Sequence, residues 1–129
     1  ALLRVTLNWT DPPGPRLVNH LHLTVRAPGG TPEYRGNLWD TTATRTHLSR
    51  PVATPPVPAD AHEDIQTFKQ VVLENPAQGD YEVEVSADAF PADPFNQQNL
   101  QPFALVFLGT GTEAKFAQTV AQVVGAAVY

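Results

Sequence analysis

The sequence contains no cysteine and no methionine. Without thiols there is no disulfide framework, no thiolate metal centre and no cysteine nucleophile. The compartment stays open on that count, because a disulfide-free chain is compatible with either side of a membrane. No run of lysine or arginine stands out among the eight basic residues, which are outnumbered by thirteen acidic ones for a net charge of −5. Polyanion binding needs a basic patch that displaces counterions, so nucleic acid is not an expected partner. No apolar run approaches the roughly 20 residues needed to span a bilayer, so no membrane span is expected. With no signal peptide and no initiating Met, the sequence reads as a mature protein or an excised domain.

What is present is 42% apolar residue content in 129 residues, enough for one domain with one core. Thirteen prolines, together with abundant Val, Thr and Gly, imply many turns and edges and favour an all-β design. Leu3, Val5, Leu7 and Trp9 alternate with Arg4, Thr6, Asn8 and Thr10, the period of a half-buried strand, and Asp11-Pro12-Pro13-Gly14-Pro15 ends it. Leu21, Leu23 and Val25 alternate with His20, His22, Thr24 and Arg26, and "APGGT" closes that strand. A short returning strand is expected over 34–38. "FKQVVLE" reads as a strand and "NPAQGD" as its turn. "YEVEVSA" follows, with Tyr81, Val83 and Val85 inward against Glu82, Glu84 and Ser86. "PFALVFLG" is apolar on both faces, as expected of a central strand. Residues 39–64 hold Pro51, Pro55, Pro56 and Pro58 without a sustained period, and read as a long functional or mobile loop. "DAFPADPFNQQNLQ" is a second long loop. In the tail, Phe116, Val120, Val123, Val124, Ala127 and Val128 fit a helical stripe, which predicts a short C-terminal helix packed on the sandwich or on a partner.

Several groups of residues bear on chemistry. His20 and His22 fall on one strand face by the period of two, and His62, Glu63 or Asp64 would be needed to complete a tetrahedral zinc set. The plainer and preferred reading is two exposed polar residues on an outer strand face. A third is pH sensing, since protonation near pH 6.5 would set two positive charges side by side. Asp88, Asp93 and Asn96, and likewise Asp60, Glu63 and Asp64, carry the oxygens of a calcium loop, but such residues more often just hydrate a turn. Trp9 reads as core. Tyr34 and Trp39, with Arg35, Asn37 and Asp40, form the best candidate for a sugar-stacking patch, although structural packing is the preferred reading there too.

In order, "LRVTLNWTDPPG", "LVNHLHLTVRAPGGT", "YRGN", "QVVLENPAQGDYEVEV" and "QPFALVFLG" resemble the β-sandwich domain that follows the catalytic domain of many secreted subtilisin-like serine proteases. That domain is similar in architecture to the P domain of proprotein convertases. The resemblance covers about residues 2–109 and implies a jelly-roll β-sandwich of about eight strands over 1–111, with 112–129 as a separate tail. Where the family typically has Val-Asn-Asp-Leu-Asp-Leu, this chain has Val18-Asn19-His20-Leu21-His22-Leu23, and an acid before "QVVL" is replaced by Lys69. Some relatives bind calcium in this sandwich. Imidazole and ammonium are poor replacements for hard oxygen ligands, so the acidic pattern is altered here even though Asp11 survives. The implied metal positions are Asp11, His20 and His22, with no cofactor expected and zinc disfavoured.

The nucleophile signature Gly-Thr-Ser-x-Ala is absent, and His47 with Ser49 lacks an orienting acid in a plausible context, so the chain is read as non-enzymatic. The resemblance implies a secreted, non-catalytic domain that stabilises or docks to a subtilisin-like protease domain in cis, or to its protein substrate. The alternative from a different class is a free-standing, lectin-like carbohydrate-binding module. A self-associating domain, with the tail stripe as its interface, is the third.

Overall fold

Alternation in the first residues is realised as β1 (Leu2–Trp9), followed by β2 (Leu21–Arg26), β3 (Glu33–Trp39), β4 (Ser49–Pro51), β5 (Phe68–Glu74), β6 (Glu82–Ala87) and β7 (Phe103–Thr110). The computed structural model describes residues 2–11, 19–42, 47–62, 65–88 and 101–110. The expected tail helix and the boundary at 112 lie outside the described residues. A single 3-10 turn, Pro58–Asp60, is the one helical element described.

Two antiparallel sheets form a sandwich, with orders β5-β1-β7 and β4-β3-β2-β6. The all-β class expected from composition is therefore observed. Because side chains alternate, Val5, Leu7 and Trp9 of β1 point inward together with Leu21, Leu23 and Val25 of β2 and Val71 and Leu73 of β5. Tyr34, Tyr81, Val83, Val85, Leu105 and Phe107 pack around them. The inward faces expected for the strands at residues 3–9, 21–25 and 81–85 are the observed ones.

The last strand differs from expectation. β7 pairs with β1 along its whole length, from Leu2 opposite Thr110 to Trp9 opposite Phe103, and with no other described strand. Among the described residues it is an edge, and β1 is the central strand of that sheet. The outward residues Val106 and Leu108 are 60% and 45% exposed, so apolarity on both faces does not signal burial here.

The sandwich closes along the β3–β5 side through side-chain bonds centred on Asn37. Asn37 has φ 60, a left-handed backbone that asparagine tolerates, and it interrupts the β3–β4 register. Its side-chain amide donates to the Phe68 carbonyl at 2.6 Å and accepts from the Gln70 amide at 2.9 Å. The side chain thus replaces a strand backbone along the free edge of β5. Ser49 extends this seam, its Oγ accepting from the Val72 amide at 2.9 Å. Close approach of the sheets at this side also needs Gly36, where a Cβ would come within 2.8 Å of the Lys69 Cβ. Lys69 is buried and points into the interior beside Leu23, its aliphatic stem filling apolar space.

Candidate functional site

The segment after β4, part of the long loop expected over residues 39–64, is pinned by hydrogen bonds. Pro58 starts the 3-10 turn with its fixed φ, and this places Asp60 in a fully buried position. The Asp60 carboxylate accepts from Arg50 Nη1 at 2.6 Å and from the Val57 and Ala53 amides, each at 3.0 Å. Its carbonyl accepts from Arg35 Nη1 on β3 at 2.7 Å, which ties the segment to the outer face of the larger sheet. The Val57 amide first, then Arg50, push the Asp60 carboxyl down to about 2. An unfolded chain titrates this group near 3.8, so the stability it adds is complete above that pH and is lost as pH falls toward about 2. Calorimetric melting between pH 5 and pH 2 is expected to fall more steeply for the native chain than for Asp60→Asn.

Beyond Asp60 the segment reaches β2. The His62 ring stacks on His22, with centroids 4.3 Å apart and planes at 27°. His22 Nε2 hydrogen-bonds Asp88 Oδ1 at 3.1 Å, while its Nδ1 is buried with no partner among the described residues. His22 is 8% exposed, so it is not the solvated strand-face residue that alternation suggested. The pattern predicted its direction and not the chain lying on it. His20 precedes the strand and offers its carbonyl to the Asp88 amide at 3.1 Å. The partner that the fold gives His22 is therefore His62, not His20. Asp11 is committed elsewhere, accepting from the Asn19 amide at 2.7 Å at one end of the sandwich. Among the described residues, no three His, Asp or Glu side chains are placed to share a metal ion. Glu63, Asp64, Asp93 and Asn96 lie outside the described residues.

The five residues of the proposed stacking patch do not form one platform. Tyr34 packs against the core, and its burial raises its hydroxyl above the usual tyrosine range. Arg35, on the opposite face, holds Glu33 Oε2 at 3.1 Å as well as the Asp60 carbonyl. Asn37 is engaged in the edge seam. Trp39 is half-buried and meets His47 edge-on, with centroids 5.7 Å apart. Asp40 Oδ1 accepts from the Thr42 amide and hydroxyl at 2.9 and 2.7 Å. His47 and Ser49 likewise serve packing and the seam rather than each other.

On the same outer face as His22, Arg26 gathers Glu82 at 2.7 Å, Glu84 at 3.1 Å and Glu33 at 3.2 Å. The larger sheet is therefore covered by charge networks and by the 52–62 segment. The smaller sheet is different. Leu48 and His47 wall a groove of about 460 Å³ over β5, with Arg4 and Gln70 in its lining. Beyond the groove, Ala104, Val106 and Leu108 of β7 face outward and are exposed. Neither the Asn37 seam nor the Asp60 hub was anticipated. The available signals were an asparagine interrupting a strand pattern and an acidic residue two positions after a proline.

No protein-family model matches the sequence, and no curated protein and no solved structure matches it. Among the described residues, no helix is long and apolar enough to cross a membrane.

Proposed function

We propose that this chain is a secreted, non-catalytic accessory domain that docks through its smaller sheet onto a subtilisin-like protease domain in cis. In this reading the sandwich is a jelly roll of the P-domain type, supported by the five sequence segments that resemble that family. The observation that carries the docking role is the bare row Ala104, Val106 and Leu108 on β7. An uncharged outward row on an edge strand is unusual for a surface left in water, because edges are commonly protected by charge. Arg4 lies next to this row, directly opposite Leu108, and its Nε is buried without an acceptor among the described residues. A partner surface with apolar side chains around one carboxylate would complement both features.

The carbohydrate-binding alternative has less support, since its aromatic and polar candidates are divided between two faces and engaged internally. Docking buries surface only in the folded pair, so it raises the stability of both members. With a two-fold excess of the cognate catalytic domain, calorimetry is expected to show both melting temperatures rising. Val106→Asp with Leu108→Asp is expected to abolish the rise. Unchanged temperatures for the native pair would remove the docking reading.

A further inference from the structure

We propose that His22 and His62 form an acid-opened clasp, in which the His62 ring lies closed on β2 while it is neutral and leaves it on taking a proton. The geometry supplies the mechanism. Two stacked imidazoles 4.3 Å apart attract one another as neutral rings and repel as two cations. The charged groups around them come from every neighbouring element. Asp88 follows β6 and contacts His22, whereas Arg35 on β3 adds positive charge near His62 and Glu33 on β3 adds negative charge. Glu84 is already paired with Arg26, so it is not free to neutralise a new cation. An imidazolium at His22 has Asp88 as its counter-ion, but one at His62 faces Arg35 and any charge on His22.

Burial first, then His22 and Arg35, pull the His62 imidazole down to about 4. The unfolded or released ring takes its proton near 6.5, so opening is favoured progressively as pH falls from 6.5 toward about 4. Asp60 remains ionised through this range and keeps its grip on Arg50. The segment therefore has an acid-resistant anchor at Asp60 and an acid-labile end two residues later. Opening would uncover His22 and the adjoining end of β2 while the core stays intact. The clasp is independent of whether a protease domain docks on the opposite sheet.

The test is residue-resolved amide hydrogen exchange by NMR on the full chain at pH 7.0 and pH 4.5, corrected for intrinsic rates. Protection at residues 61–62 and 86–88 is expected to fall about tenfold at the lower pH, with β1 and β5 unchanged. His62→Phe, which keeps a stacked ring without an ionisable nitrogen, is expected to stay protected at both pH values. Equal protection of the native chain at both pH values would overturn the clasp, as would the same loss in His62→Phe. If that variant does not fold, direct NMR titration of the native His62 ring decides. A depressed midpoint supports the clasp, and one at or above 6.5 overturns it. Zinc chloride at pH 7.0 is the remaining arm, and zinc-induced shifts in both rings would assign the pair to a metal instead.

Discussion

Replacing Leu7 with alanine is expected to lower the unfolding free energy by about 2–5 kcal/mol, the range for emptying a core leucine site. Leu7 is fully buried near the middle of the central strand of the smaller sheet. Lys69 and Leu105 are its cross-strand neighbours on either side, so both adjoining strands restrict collapse into the space left behind. For a domain of 129 residues, each 1 kcal/mol shifts the melting temperature by about 4 °C, so the loss would be plain in a thermal scan. Urea unfolding should show a lower midpoint with an unchanged slope, because the surface exposed on unfolding is nearly the same. A change below 1 kcal/mol would mean that β1 is not the centre of the packed core.

Asn37→Ala is expected to cost about 2 kcal/mol, more than a polar residue on an edge strand ordinarily would. The substitution removes the donor to the Phe68 carbonyl and the acceptor for the Gln70 amide. It also places alanine at φ 60, where a Cβ is strained and asparagine is tolerated. Asn37→Gly loses the same two bonds without the strain and should recover about 1 kcal/mol relative to alanine. Asn37→Asp keeps the acceptor and loses the donor. Denaturant titration of the three variants separates hydrogen bonding from backbone strain. Equal stability of the alanine and glycine variants would assign the whole effect to the lost bonds.

Asn37 also shows what kind of information the sequence carries. Alternation in residues 3–9, 21–25 and 81–85 reports which side of a strand faces inward, because hydrophobic burial on one face imposes a period of two. The existence and orientation of those strands are accordingly legible, whereas β4 falls in the stretch expected to be a loop. The same signal is silent about neighbours. Val106 and Leu108 looked like the second face of a central strand because nothing in a period of two distinguishes an interior face from an uncovered one. The polar side of β2 faces outward as alternation predicts, but His22 is buried by a ring forty positions later in the chain. In sequence Asp60 is indistinguishable from its acidic neighbours, since its role depends on Arg50 and two backbone amides brought together only by the 3-10 turn. A left-handed asparagine leaves no period at all.

The register of β1 has a consequence for how the protein is made. Leu2 finds its partners at Glu74 and Thr110, so β1, the earliest of the described strands, cannot complete its hydrogen bonding until nearly all of the described chain has been produced. The four strands of the other sheet are available by Ala87. Pairing over such separations carries a large loop-closure cost and slows folding. A nascent chain stalled before Phe103 would hold a finished sheet against an apolar strand lacking its second neighbour. Such a species offers an open template to other chains, so translation through β7, the last described strand, favours folding over aggregation.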